Sequence, residues 1–209
     1  MAGSLISDRH VITAASPLYG LTPNRMSVTL GAHDRCNAAG PGLNVSVESI
    51  TIHPGYSTTT LDNDIALVKL RHVVAFSQYI SPICLPIFGS REYEQVTWTA
   101  GWAQTPGTCT PHIAILPTLP AASCVKGFDD NKLVSPDKGC LGPMGIKSVI
   151  CKNDVGAPVM SRWSATASLR LIGVVSTSSC DVAAPPLYTR VIDHASWIYE
   201  HIRSDCQCF

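Results

Sequence analysis

Three short, widely separated segments of this 209-residue chain carry the residue types that bear on hydrolytic chemistry. They read VITAAS at 11–16, DNDIAL at 62–67 and CKNDVGAP at 151–158. A nucleophilic hydrolase needs a base, an acid that orients the base and a nucleophile, which the fold collects from distant segments. Asp64 is a suitable orienting acid. The hydroxyl of Ser16 does not exchange protons near neutral pH as imidazole does, and Val155 has no oxygen with which to attack a carbonyl.

In order and spacing, the three segments resemble the catalytic signatures of the chymotrypsin-like serine endopeptidases. The resemblance implies that Ser16 stands at the position of the general base, Asp64 at that of the acid and Val155 at that of the nucleophile. It places Asn153 at the oxyanion-hole glycine, where a Cβ hinders the peptide from turning its N–H inward. It also implies that Ser176 donates a hydrogen bond to Asp64. Losing base or nucleophile costs such enzymes on the order of 10⁶ in turnover, so an inactive member is expected.

The same resemblance identifies Val149, Ser178 and Pro186 as positions of the substrate pocket. Val149 stands at the floor, where trypsin-like members carry an aspartate that holds Arg or Lys, and a valine cannot pair with a cation. Side chains at these positions are expected to narrow the cleft. Asp154 corresponds to an acid that pairs, in active members, with an amino terminus liberated by cleavage, so a zymogen-like loop is expected.

Nine cysteines without CxxC pairs favour disulfides in an oxidising compartment over metal binding. The family resemblance implies the disulfides Cys124–Cys140 and Cys151–Cys180, and it suggests that Cys84 is bonded to another chain. Five cysteines have no assigned partner within the chain, and because five is odd at least one is free or linked to another chain: Cys36, Cys84, Cys109, Cys206 and Cys208. Asn44 begins an acceptor triplet for N-glycosylation, which agrees with a secreted protein, although no signal peptide is visible at Met1.

The composition restricts the classes of partner and ligand that are expected. Fifteen basic and fifteen acidic residues balance to zero, which gives no electrostatic reason to expect nucleic acid or an anionic membrane and counts against a cationic antimicrobial homologue. No apolar run is long enough to span a bilayer. The loop 32–42 offers Asp34 as its main carboxylate, which is too few oxygen ligands for calcium. We therefore expect no metal and no cofactor.

Alternating apolar residues predict a hairpin over 4–15 and a strand over 43–53, with Val45, Val47 and Ile50 on its buried face. A further strand is predicted over 26–31, and the apolar run over 64–70 predicts a buried strand that begins at Asp64. His10 lies in the predicted hairpin turn and is expected to be a surface residue. Ala195, Ile198 and Ile202 form one stripe of a C-terminal helix that Asp193 is suited to cap.

The resemblance extends over nearly the whole chain and implies an all-β fold of two six-stranded antiparallel β-barrels with a C-terminal helix. The expected domain covers residues 1–204, with barrels at about 1–86 and 94–192, a helix at about 193–204 and a Cys-containing tail at 205–209. Residues 1–7 resemble an internal strand of the family, so the first barrel is expected to be truncated at its N-terminus.

Three functions follow from these expectations. The first is a secreted, inactive protease homologue that binds a protein partner, either a protease or its substrate, in an extracellular proteolytic or immune pathway. The second is a serine endopeptidase with residual or rearranged chemistry. The third is a truncated gene product without function, because an incomplete barrel exposes unpaired strand edges.

Overall fold

A computed structural model of the chain describes residues 1–37, 40–86, 96–102, 109–120, 124, 135–145, 149–162, 167–178, 180–181 and 184–208. Within them, strands alternate with short loops, and one α-helix lies near the C-terminus. The strands are β1 (Ser4–Leu5), β2 (His10–Thr13), β3 (Ser27–Leu30), β4 (Leu43–Ile52), β5 (Ala66–Leu70), β6 (Val96–Gly101), β7 (His112–Leu119), β8 (Lys138–Leu141), β9 (Pro158–Ser161), β10 (Arg170–Thr177) and β11 (Leu187–Arg190). The predicted strands 26–31, 43–53 and 64–70 are confirmed as β3, β4 and β5.

The N-terminal half of the chain forms an open antiparallel sheet of five strands in the order β1-β2-β5-β4-β3. Val45 and Val47 of β4 are buried as expected, whereas Ile50 is only partly buried. The ladder between β4 and β5 shifts register between Val47 and Ser49. Such an irregularity inserts an extra residue and resets the two-residue alternation, so Ile50 follows a different phase from the residues before it.

The C-terminal half forms a closed antiparallel barrel of six strands in the order β10-β11-β8-β7-β6-β9. This barrel confirms one of the two predicted six-stranded barrels, and the open five-stranded sheet stands where the other was expected to be truncated. Alternating residues of β6 and β7 point inward, including Thr97 and Leu116, which are buried. The expected start of the second barrel at residue 94 lies outside the described residues, which resume at Val96.

A core cluster joins the two halves and the helix α1 (Ala195–Ile202). Ile12, Ile65 and Leu171 pack there with the helical residues Ile198 and Ile202, which confirms the predicted apolar stripe. The expected cap is wrong, because His194 is the N-cap residue and Asp193 lies in the preceding 3₁₀ turn, where its carboxylate is 3.5 Å from the side chain of Arg190. Within the described residues no helix is long and apolar enough to cross a membrane.

Four disulfides tie the described elements together. Both predicted pairs, Cys124–Cys140 and Cys151–Cys180, are present. The other two are Cys36–Cys109 and Cys84–Cys208, which link residues 73 and 124 positions apart in the chain. Cys84 is therefore bonded within the chain, and this corrects the expectation of a bond to another chain. The free cysteine is Cys206, which is exposed on the C-terminal tail.

Candidate functional site

The centre of the candidate site is Asp64, which precedes β5 and is completely buried. One carboxylate oxygen accepts a hydrogen bond from the backbone N–H of Ser16 at 2.7 Å. The other accepts from the hydroxyls of Ser16 at 3.1 Å and Ser176 at 2.6 Å. The predicted contact between Ser176 and Asp64 is thus confirmed. Three donors from two distant segments satisfy a charge that would otherwise be too costly to bury.

A chain of polar contacts continues from Asp64 into the second barrel. The Thr189 hydroxyl donates to the Asp64 carbonyl at 2.9 Å, and the Lys138 ammonium donates to that hydroxyl at 2.7 Å. Asp137 lies 3.3 Å from the ammonium and 3.6 Å from His194 Nε2. Burial lowers the pKa of Lys138, an effect that Asp137 and Asp64 partly offset. Burial raises the pKa of Asp137, but the neighbouring His194, Ser135 and Lys138 and the N–H of Asn63 together lower it by more, so that the pKa lies below its usual value.

No pattern in the sequence predicted this buried charged group. Lys138 and Asp137 are adjacent at the start of β8, where alternation predicts that one of them points to solvent. Both are buried, with side chains only 3% and 11% exposed. In the sequence, the indication of a buried pair would have been that two charged residues lie close to Cys140, a predicted disulfide cysteine. This indication is weak, because charged residues are also common in exposed strands.

The segment around Val155 is a compact turn. Residues Lys152–Asp154 form a 3₁₀ helix, and the Val155 N–H donates to the carbonyl of Lys152 at 3.4 Å. The side chain of Val155 packs against the core cluster between the two halves, and its carbonyl accepts from the N–H of Ala2 at 3.2 Å. Asn153 is exposed in the middle of the 3₁₀ helix. The structure therefore brings Ser16 and Asp64 into contact, whereas Val155 contacts the core cluster, Lys152 and Ala2.

Asp154, the last residue of this 3₁₀ helix, is buried. Its carboxylate accepts from the N–H of Cys151 at 3.1 Å and lies 3.8 Å from Nε2 of His112. A Cβ added to Gly101 would overlap the Asp154 carboxylate, so this close approach requires glycine at 101.

The expected pocket positions lie on segments that contact each other. The hydroxyl of Ser178 donates to the carbonyl of Ile150, next to Val149 in the chain. The carbonyl of Val149 accepts from His112 at 3.0 Å, and that of Pro186 accepts from the N–H of Leu141 at 3.0 Å. With the disulfide Cys151–Cys180, the contact made by Ser178 joins the two walls that the resemblance assigns to the cleft. The narrowing of the cleft by these side chains remains a prediction.

The burial of His10 differs from the expectation. It begins β2, is buried, and places Nδ1 2.5 Å from the carboxylate of Asp205 in the C-terminal tail. The hydroxyl of Ser7 donates to the same carboxylate at 2.8 Å. The prediction of a surface histidine is wrong because the tail folds back over the hairpin, a contact across 195 positions that no local pattern reveals.

Two further expectations concern surface sites. Asn44 is exposed on β4 opposite Thr29 of β3, and its glycosylation remains a prediction. Asp34 lies close to Cys36 and Cys109, a grouping with ligand types suited to a soft metal ion. The two sulfurs are joined in a disulfide, which leaves one carboxylate and no thiolate to bind an ion.

Comparisons with known proteins agree with this architecture. The family model described as Trypsin matches residues 2–198. The chain is 33% identical to phenoloxidase-activating factor 3 of Holotrichia diomphalia over 96% of the chain and 63% of the relative. It is 28% identical to the serine protease grass of Drosophila melanogaster, over 97% of the chain and 60% of that protein. It thus spans less than two thirds of the length of either.

A shorter relative gives the same result. The chain is 31% identical to trypsin-4 of Rattus norvegicus, over 95% of the chain and 78% of the relative. The family model extends across the open sheet, the closed barrel and the first half of the C-terminal helix. The chain therefore belongs to the trypsin family of chymotrypsin-like serine proteases and protease homologues.

Proposed function

We propose that this chain is a catalytically inactive serine protease homologue that acts by binding another protein in an extracellular proteolytic or immune pathway. The observation that carries the proposal is the environment of Asp64, whose carboxylate is occupied by the hydroxyls of Ser16 and Ser176. Neither hydroxyl exchanges protons near neutral pH, so an acid held in this way has no base to orient.

The segment at the proposed nucleophile position supports the same function. Val155 offers no nucleophilic atom, and its N–H is directed to the carbonyl of Lys152. In this family the N–H of the nucleophile residue is one of two donors that stabilise the oxyanion. A donor engaged inside a 3₁₀ turn is not free to bind a developing negative charge.

The name of one relative and the disulfides suggest the pathway and the compartment in which the chain acts. Phenoloxidase-activating factor 3, to which the chain is 33% identical, is named for the activation of phenoloxidase. Four disulfides and an exposed acceptor at Asn44 agree with a secreted protein. The proposed partner is a protein, either an active protease of the proposed pathway or the substrate of that protease.

The first experiment tests whether the chain has a reactive nucleophile or cleaves peptides. The purified chain is treated with a fluorophosphonate probe and a set of peptide substrates, beside a variant that carries Ser16→His and Val155→Ser. The natural chain is expected to show neither labelling nor cleavage above a buffer control. Labelling or cleavage by the natural chain would refute inactivity and favour the alternative, an endopeptidase with atypical chemistry. The variant reports whether restoring both side chains is sufficient to rebuild a reactive serine.

The second experiment tests binding. The chain is added to an active trypsin-family protease and its zymogen substrate, and cleavage of the zymogen is followed over time. A protein-binding homologue is expected to change the cleavage rate in a saturable manner while remaining intact itself. An unchanged rate at every concentration, together with no binding of either component in a surface-based assay, would contradict the proposed role as a partner.

A further inference from the structure

A groove of about 800 Å³ lies along the open side of the N-terminal sheet. Its lining includes the two edge strands, β1 and β3, and residues of the three strands between them. The floor is apolar: Val11 of β2 and Val68 of β5 are buried members of the core cluster of this sheet. Val28 and Leu30 of β3 pack against the same cluster and are only partly buried. Part of the apolar interior of the sheet is therefore reached from the groove.

One side of the groove, β3, has unpaired backbone groups. The carbonyl of Met26, just before this strand, accepts from the N–H of Val47 of β4 at 3.4 Å. Along an antiparallel ladder, residues that bond to the neighbouring strand alternate with residues that do not. Ser27 and Thr29 therefore direct their N–H and C=O groups away from β4, and these groups lie on an open edge because β3 is the last strand of the sheet.

The other side of the groove, β1, has the same property over a shorter length. The N–H of Ile6 donates to the carbonyl of His10 at 2.9 Å, so by alternation Gly3 and Leu5 direct their backbone groups away from β2. The carbonyl of Leu5 accepts from the N–H of Ile83 at 2.9 Å, which leaves the N–H of Leu5 and both groups of Gly3 on this edge. Among the described residues, no strand pairs with the outer edge of β1 or of β3.

We propose that this groove receives an extended segment of a partner polypeptide, with an apolar side chain at every second residue, which pairs with β1 and β3 and closes the sheet into a six-stranded barrel. A strand between the two edges satisfies the N–H and C=O groups of both. Because successive side chains of a strand point to opposite faces, alternate residues of the segment contact the apolar floor and the others contact solvent. The closed barrel of the C-terminal half has six strands, so one added strand gives the N-terminal half the same number.

The geometry favours a single segment over a second copy of this chain. If two copies joined edge to edge through β3, each groove floor would stay uncovered, since only a strand between the two edges lies over Val11 and Val68. Asp34 and Arg35, the acidic and basic side chains of the described lining, have opposite signs and give no preference for an ionic ligand. The inference rests on the proposed function, in which the chain binds a protein, and it specifies the chemistry of the bound segment.

The test uses a synthetic peptide, acetyl-KVTVTVK-amide, in which valine alternates with threonine over the length of an ordinary strand. Hydrogen exchange of the natural chain is followed as the peptide is added. The amides of Ser27 and Thr29 on the open edge are expected to gain protection in a saturable manner, by about 100-fold when the free peptide is at 100 times its Kd. The amides of Val28 and Leu30, which face β4, are expected to gain much less.

Two controls separate backbone pairing from apolar contact. The same peptide with N-methyl groups on its valines keeps the side chains but loses the donors along one edge, and it is expected not to protect the chain. Thr29→Pro removes an N–H from the open edge without breaking the ladder to β4, and is expected to weaken peptide binding by about tenfold. Thr29→Ala, the matched control, keeps that N–H and is expected to bind as the natural chain does. Protection of Val28 and Leu30 reports whether the proline variant is folded.

Three results would overturn the inference, and all three are measured on the natural chain, so a variant that fails to fold does not affect them. The first is that the edge amides gain no protection at the highest peptide concentration. The second is equal protection by the N-methylated peptide, which would make the groove a general apolar site. The third is a dimer in sedimentation equilibrium whose edge amides are already protected without peptide, which would make a second copy the occupant. Each of these results leaves the proposed function standing, because its effect on zymogen cleavage is measured separately.

Discussion

Replacing Asp137 by alanine is expected to destabilise the protein strongly, because it leaves the ammonium of Lys138 buried without its nearest counter-charge. The Lys138 side chain is 3% exposed, and its contacts are the carboxylate at 3.3 Å and the hydroxyl of Thr189 at 2.7 Å. Removing one partner of a buried ion pair typically costs about 3–5 kcal/mol. With a urea dependence of about 2 kcal/mol per M, the unfolding midpoint should fall by about 1.5–2.5 M.

The reverse substitution, Lys138→Met, is expected to cost much less. It removes the buried cation and retains an apolar stem, and Asp137 still accepts from the N–H of Asn63 at 2.9 Å and lies 3.6 Å from His194. The double variant Asp137→Ala, Lys138→Met should therefore be more stable than Asp137→Ala alone.

Equilibrium unfolding in urea with the disulfides intact measures all three variants. Glu48→Ala, which removes an exposed partner of Arg9 and Lys69, serves as the control and should not shift the midpoint measurably. A double variant that is no more stable than Asp137→Ala would refute the reasoning, since the cost would then not arise from an uncompensated charge on Lys138.

Three further predictions concern other parts of the molecule. Burial lowers the pKa of His53 in the folded protein, with a smaller contribution from His194. As the pH falls through about 6.5, the unfolded chain therefore takes up the proton first, and the folded state loses stability on the acidic side. His53→Gln should flatten the dependence of the melting temperature on pH between about 7.5 and 5.5. Cys206→Ser should leave the melting temperature unchanged, whereas a further Cys208→Ser opens the link to Cys84 and should cost about 2–5 kcal/mol in thermal unfolding. Gly101→Ala should cost about 1–3 kcal/mol, because its methyl group displaces the Asp154 carboxylate, and calorimetry that shows no change would contradict that close approach.

Much of the strand pattern could be predicted because alternation is a local property. Strands β3 and β4 lie where apolar residues recur every second position, and β5 lies in a short continuous apolar run. The helix α1 lies where Ile198 and Ile202 share one stripe. The register shift after Val47 was not predictable, since it depends on how β4 pairs with β5 and not on the composition of β4. The same limit applies to the disulfides Cys36–Cys109 and Cys84–Cys208, which close long loops and lie outside the pairs that the resemblance implied.

The candidate site likewise contains contacts that could be predicted from the sequence and contacts that could not. The contact between Ser176 and Asp64 was predicted because a family motif fixes both positions. The burial of Lys138 and His10 was not, since each depends on an element distant in sequence: Thr189 for the lysine and Asp205 for the histidine. Long-range burial of a polar residue leaves little trace in its neighbours, so charged residues in strands are assigned to the surface by default.

The persistence of Asp64 in a protein proposed to be inactive has a physical explanation in its donors. A buried carboxylate that loses one of its hydrogen-bond donors is less well stabilised as a charge, so substitution of a neighbouring base by an apolar residue would destabilise the fold. Ser16 avoids this cost, because its hydroxyl donates to the carboxylate at 3.1 Å while its N–H donates at 2.7 Å. Ser16→Ala should therefore lower the free energy of unfolding by about 1–3 kcal/mol through the loss of a bond to a charged group. A Ser16→Ala variant as stable as the natural chain would show that Asp64 is held by its remaining donors alone, and that serine at this position has no structural reason to be there.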